Sequence, residues 1–379
     1  MMNYPVLWTM LISILLYGQT QAQSVSLRDK IGQMLIMGFD GSQVDKHSAI
    51  IKSIQKDNIG GVILFDYNQK TGRFDKNIDS PEQVRQLNSA LQQANTLAEI
   101  KHNRPLLPLF IAVDYEGGER GTRLTPTKGF PATVSAANIG QMSVPQVRQI
   151  ADAMAATLQD SGFNLNFAPV VDVNVNPNCP IIGKVGRSFS ADPYEVANYA
   201  SLYAQSYLAH KVQCAYKHFP GHGSATADSH LGFVDVSATW QPEEWVPYEQ
   251  LLYSTQSCGM IMTAHLVNRQ LDDSGLPATL SHTILTELLR NKLNFKGVII
   301  TDDMQMKAIS EHYSLEQALT LAVNAGVDML IFGNQLPNEP QDPTAIIDII
   351  AANVRSGKIS KQRINEAYQH IVTMKAALK

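Results

Sequence analysis

The densest chemical signal in the chain is Lys217-His218-Phe219-Pro220-Gly221-His222-Gly223, followed by Asp228-Ser229-His230. Proline and glycine mark this stretch as a loop, and it concentrates a lysine, three histidines and an aspartate. Two chemistries fit that set. His218, His222, His230 and Asp228 could hold a metal ion in a barrel hydrolase. Alternatively, Asp228 accepts a hydrogen bond from His230, which fixes the tautomer and raises the basicity of the ring for acid/base work. A bland alternative is a structured loop whose histidines satisfy backbone groups. Further polar residues end other apolar runs: Asp114, Asp172, His265 and the pair Asp302-Asp303. One such aspartate is usually a helix N-cap. Several together point to an enzyme.

The runs that position them are short and nearly all apolar: 34–39, 60–65, 108–114, 165–172, 212–218, 259–265, 297–302 and 327–332. Continuous apolar character predicts strands buried on both faces, as in a parallel sheet. Helical patterns lie between them. Ser80-Pro81-Glu82-Gln83 has capping-box spacing, and Val84, Leu87, Leu91 and Ala94 then line one helical face. Further helices fit 146–160, 193–209, 281–293, 314–325, 343–356 and 360–378, with Ser314 and Gln317 repeating the box and Gly326 stopping that helix. Eight strands alternating with helices predict an α/β fold, a single (β/α)8 TIM-type barrel over residues 23–379. The rival doubly wound sheet lacks a glycine-rich fingerprint after its first strand. In a barrel the polar strand ends meet on one face.

The pattern KHFPGHG-x4-DSH is joined by Asp114-Tyr115-Glu116-Gly117-Gly118, the segment Pro169 to Asp172, Gly186-Arg187-Ser188-Phe189 and Thr301-Asp302-Asp303-Met304. With these the chain resembles glycoside hydrolase family 3, in its single-domain NagZ-type β-N-acetylglucosaminidase branch, over nearly everything beyond residue 22. The resemblance implies an exo-acting retaining β-N-acetylhexosaminidase needing no metal or other cofactor. It makes Asp302 the nucleophile, His230 the general acid/base and Asp228 its partner. Asp114, Arg123, Arg187, Lys217 and His218 match positions that hold sugar hydroxyls. The chain is one residue longer than the pattern between Gly118 and Thr122, which leaves Arg120 as the alternative to Arg123. Larger family members add a second domain carrying a glutamate acid/base, whereas the barrel here takes up the chain. Neighbouring strand residues point to opposite faces, so only one of Asp302 and Asp303 faces the axis. The family order selects Asp302 and leaves Asp303 to support the loop. The stretch Asp66 to Asp79 is longer than a minimal connection and should stand on the catalytic face, where it could shape a leaving-group subsite. A glycosyl phosphorylase of the same family and a non-catalytic exported sugar-binding protein are the remaining alternatives.

The chain has 379 residues, 44% hydrophobic and 17% charged, which excludes a wholly disordered protein. A net charge of -4 without a basic stripe argues against nucleic acid as partner and leaves a neutral or small anionic substrate open. The resemblance implies an oligosaccharide, from peptidoglycan fragments or chitin-type chains. Val6 to Tyr17 is an apolar run of about a dozen residues, too short to span a bilayer. With Thr20-Gln21-Ala22 as a cleavage site, residues 1–22 read as a signal peptide. The expected protein is exported, periplasmic or secreted, without a stable membrane anchor. Cys179, Cys214 and Cys258 allow at most one disulfide, and Cys214 and Cys258 read as ordinary buried residues.

Overall fold

In a computed structural model, which describes residues 25–335 and 340–378, eight parallel strands close in sequence order into one barrel. They are β1 Leu35–Gly38, β2 Gly61–Ile63, β3 Phe110–Val113, β4 Leu165–Asn166, β5 Gln213–Phe219, β6 Met260–Thr263, β7 Val298–Asp303 and β8 Met329–Phe332. The seam closes where β1 pairs with β8, Leu35 opposite Leu330. Apolar side chains fill both faces of the strands, which is why the runs do not alternate. The proposed signal segment lies outside the described residues.

The helices follow their sequence signals closely. Pro81–Lys101 is capped by Ser80, whose hydroxyl accepts from the Gln83 N–H. The Gln83 side chain turns to the Asp79 N–H instead, so that capping box is half made. Leu315–Ala325 has the full box, and Gly326 ends it in a left-handed conformation with φ 115°. The expected helix at 281–293 is present as Thr283–Lys292, wound as a π-helix. Helices Leu27–Gln33, Ala49–Asp57 and Val246–Leu252 add to those expected.

Two differences bear on the site. β4 stops at Asn166 rather than 172, since Pro169 has no N–H to offer the ladder. Val170 bridges Lys217 instead, and the segment turns toward the barrel mouth. Cys214 and Cys258 are not separate buried thiols; they form a disulfide, with Cα atoms 4.9 Å apart. Lateral pairing of β5 with β6 brings the two together across 44 residues. Cys179 is buried and free. No helix of the described residues is long and apolar enough to cross a membrane.

The face opposite the polar strand ends is braced by buried charge. Asp328, just before β8, is fully buried and takes the guanidinium groups of Arg290 and Arg363, His370 Nδ1 at 3.0 Å and the Ile299 N–H at 2.9 Å. Burial alone would raise its pKa, but Arg290, His370 and Arg363 outweigh that and lower it. Lys375 sits under the barrel, its ammonium on Gln33 Oε1 at 2.8 Å and the Gly60 carbonyl at 2.7 Å. Asp328→Ala takes the shared carboxylate from two largely buried guanidinium groups, leaving Glu366 to Arg363 at 3.1 Å, and is expected to cost about 3 kcal/mol, read as a lower urea midpoint. Because the folded pKa of Asp328 is lowered, its contribution is complete above the ordinary carboxylate range and is lost on further acidification.

Candidate active site

Asp172, beyond β4 and fully buried, organises the motif after β5. Its Oδ1 accepts the N–H groups of His218 (3.1 Å) and His222 (2.8 Å), and its Oδ2 binds His218 Nδ1 at 2.7 Å. Burial works to raise the pKa of Asp172, but the facing His218 and His222 lower it overall. With Nδ1 committed to a carboxylate, His218 presents Nε2 as its working atom. The β5–β6 register shifts between Tyr216 and Phe219, and the Lys217–His218 peptide is cis. At this irregularity the two neighbouring side chains reach different acidic partners of one site, Lys217 to Asp114 and Glu116, His218 to Asp172.

A second buried carboxylate holds the cations. Glu116 accepts Arg187 Nε and Nη2, each at 2.7 Å, and Lys217 Nζ, also at 2.7 Å. Lys217 in addition donates to Asp114 Oδ1 at 2.8 Å. Burial opposes the ionised form of Glu116, but Arg187 and Lys217 bring its pKa down to about 2. Despite burial, Asp114 and Glu116 raise the pKa of Lys217, and Glu116 raises that of Arg187. Glu116, Lys217 and Arg187 therefore stay charged. Arg187 donates its Nη1 to the Ile181 carbonyl, so much of its hydrogen-bonding capacity is spent inside the protein.

The β7 end carries Asp302 and Asp303, where the register with β8 also shifts. Asp303 binds main chain: its Oδ1 accepts the N–H groups of Gln305 (3.0 Å) and Gly333 (3.2 Å), fastening the loops after β7 and β8. Asp302 instead faces the imidazoles. Burial would raise its pKa, but His265, His218, His230 and the Asp303 N–H bring it down to about 2. For Asp303 burial prevails and lifts the pKa to about 6. His265 is buried with both ring nitrogens engaged, Nδ1 with Thr279 Oγ1 at 2.7 Å and Nε2 with the Asp303 carbonyl at 3.0 Å. It braces β7 rather than offering an atom to a ligand.

His230 lies on the exposed loop after β5, with Nδ1 on Asp228 Oδ1 at 2.7 Å and its N–H on the same oxygen at 2.8 Å. Its Nε2 is thus the atom available for proton transfer. Arg123 lies beside Asp66 (3.8 Å) and Asp114 (4.0 Å), above the Phe65 ring, and its buried Nε has no hydrogen-bond partner. The Arg120 side chain is exposed, so the geometry places Arg123, not Arg120, at the site. His218, His222 and His230 each bond a different residue, Asp172, Ser229 and Asp228. Among the described residues no three His, Cys, Asp or Glu side chains converge as a metal-binding group.

The structure thus brings Asp114, Arg123, Arg187, Lys217, His218, Asp302, Asp228 and His230 to one barrel face. Sequence reasoning passed over Glu116 as a functional residue. Its signal was the spacing to Asp114, since alternate residues of an extended segment share a face. Asp66 and the structural office of Asp172 had no comparable signal.

An anionic carboxylate facing an imidazole that can carry a proton is the equipment for cleaving an acetal, set here at the catalytic end of a barrel. Residues 26–374 match the Glycosyl hydrolase family 3 N terminal domain, and the chain belongs to that family. It is 31% identical over 351 residues to Beta-hexosaminidase A of Pseudoalteromonas piscicida, covering 86% of this chain and 54% of that protein. Beta-hexosaminidase of Idiomarina loihiensis is 32% identical over 299 residues, with 77% of this chain and 82% of that protein covered. The solved glycoside hydrolase family 3 beta-N-acetylglucosaminidase of a Paenibacillus species superposes with a TM-score of 0.82 at 29% identity, over 94% of this chain and 63% of that one. The chain therefore spans just over half of the first of these relatives and somewhat under two thirds of the solved structure.

Glu116→Gln keeps the shape but removes the charge that orders Lys217 and Arg187. A charged hydrogen bond contributes about 1.5–3 kcal/mol, so kcat/KM for glycoside hydrolysis should fall about 10- to 100-fold. Wild-type kinetics from the variant would show that this pair does not set the geometry.

Proposed function

We propose that the protein is an exo-acting, retaining β-N-acetylhexosaminidase that removes terminal β-linked N-acetylglucosamine. The observation that carries this is the pairing of Asp302, held anionic, with a histidine backed at 2.7 Å by Asp228 on the same barrel face. Glycosidic cleavage passes through an oxocarbenium-like state that a carboxylate beside the ring stabilises. In the first step Asp302 bonds to the anomeric carbon as the glycosidic C–O bond breaks, and His230 Nε2 gives its proton to the departing oxygen. In the second, His230 takes a proton from water, which attacks the anomeric carbon and releases Asp302. Asp228 supports the imidazolium form. Asp114, Lys217, His218, Arg123 and Arg187 provide the polar rim for sugar hydroxyls. The beta-hexosaminidase names of the relatives support N-acetylhexosamine as the sugar. Peptidoglycan fragments and chitin-type oligosaccharides are the substrates that fit.

Nitrophenyl β-N-acetylglucosaminide and β-glucoside, assayed side by side, should show strong release from the first alone. Asp302→Ala should abolish it in a folded protein. His230→Ala should lower kcat on a natural disaccharide by about 10²–10⁴-fold, the usual contribution of a general acid. Glycosides with very acidic leaving groups need no proton and should lose far less. Equal losses on both would remove His230 from the acid/base role.

Export is part of the same proposal. The apolar run Val6 to Tyr17 supports it, as does the Cys214–Cys258 disulfide, because such bonds persist chiefly in oxidising compartments. Full-length protein expressed in a Gram-negative host should be recovered outside the cytoplasm, with Gln23 as its first residue. Cytoplasmic protein retaining Met1 would overturn the assignment.

A further inference from the structure

The loop that carries Asp228 and His230 is mostly exposed, with one exception. From Thr226 to Phe233, Ser229 alone is buried. It sits between the two members of the dyad, and its hydroxyl lies 3.1 Å from Nε2 of His222. His222 is itself buried, and its main chain is fixed by the N–H bond to Asp172 at 2.8 Å. Two glycines make that depth attainable. A Cβ on Gly223 would fall 1.7 Å from the Val173 carbonyl oxygen, and Gly221 has φ +119° with Glu244 pressed against it. The His222 ring has no second hydrogen bond, because Nδ1 is buried without a partner; the ring otherwise meets the His218 ring edge-on at a centroid distance of 5.9 Å. A buried histidine serving only as filling would do better as an apolar residue, since the orphaned nitrogen costs free energy. The one hydrogen bond its ring makes is to the catalytic loop.

We propose that His222 is a positioning residue: through its hydrogen bond to Ser229 it holds Asp228 and His230 toward Asp302. This rests on His230 being the acid/base group. The remaining contacts of the loop are lateral or local. The Phe233 ring meets the His312 ring edge-on at a centroid distance of 5.6 Å, and Leu231 is exposed. The Ser229 anchor therefore sets how deep the dyad sits, while the neighbouring exposed positions leave the loop its freedom. Burial, followed by the nearby His218, lowers the pKa of His222 to about 4, so at neutral pH the ring bonds Ser229 uncharged.

The test measures kcat on diacetylchitobiose and on 2,4-dinitrophenyl β-N-acetylglucosaminide for Ser229→Ala, His222→Phe, His222→Gln and His230→Ala. Misplacing a general acid forfeits part of its about 10²–10⁴-fold contribution. Ser229→Ala and His222→Phe should therefore lose about 10- to 100-fold on the disaccharide and much less on the aryl glycoside. His222→Gln, whose amide can reach Ser229, should recover most of the disaccharide rate. If His222→Phe does not fold, Ser229→Ala on the exposed loop still decides. Unchanged disaccharide turnover in Ser229→Ala overturns the proposal. So do equal losses on both substrates for Ser229→Ala while His230→Ala discriminates between them. If His230→Ala itself does not discriminate, the acid/base assignment fails first, and the positioning role falls with it.

Discussion

A carboxylate with no exposure is tolerated only when its oxygens are filled by donors, and the catalytic face is arranged around that requirement. Asp172 meets it with two main-chain N–H groups and one imidazole, drawn from His218 and His222. Two amides four residues apart cannot reach a single oxygen from an extended strand. The chain after β5 must therefore fold back at Pro220-Gly221, burying His222 and sending the next residues over the barrel mouth. The positions of Lys217, His218 and the Asp228–His230 loop all follow from that fold-back. Glu116 repeats the logic one strand over, where three donor atoms from Arg187 and Lys217 hold a second buried anion.

The two consecutive aspartates show how environment divides labour between identical groups. Asp302 faces imidazoles and is held at about 2, whereas Asp303 has burial outweighing its two amide donors and is lifted to about 6. The first stays an anion. The second is suited to fastening loops. The register shifts at Tyr216–Phe219 and Ile300–Asp303 fall where the polar side chains enter the site, consistent with irregularities that re-aim residues at barrel rims. Membership of glycoside hydrolase family 3 fits this division.

Much of this was legible in the residue order. Eight apolar runs with helical patterns between them name a parallel α/β fold, because strands covered on both faces need no alternation and each crossover needs a helix; the missing glycine-rich fingerprint then favours a barrel over a doubly wound sheet. The motif residues at the strand ends were identifiable for the same reason, since a parallel barrel gathers all C-terminal ends on one face. Less was legible where an element is irregular. The length of β4 misled because Val170 and Val171 look like strand residues, yet Pro169 withholds the N–H that would continue the ladder. The disulfide was hidden because Cys214 and Cys258 are 44 residues apart and meet only through lateral pairing of β5 with β6.

The sequence by itself determined the fold class and the chemical types on the catalytic face and offered the local pairing of Asp228 with His230 as one of two readings, all of which depend on spacing over a few residues or on repeated periodicity. Tertiary structure alone decided which charges meet across strands. Glu116 between Arg187 and Lys217, Asp172 beneath His218 and His222, and Arg123 rather than Arg120 at the site all join residues on different strands or loops. A carboxylate's pKa is set by the donors and charges within a few ångströms, and closure of the barrel, not the order of residues, chooses those neighbours.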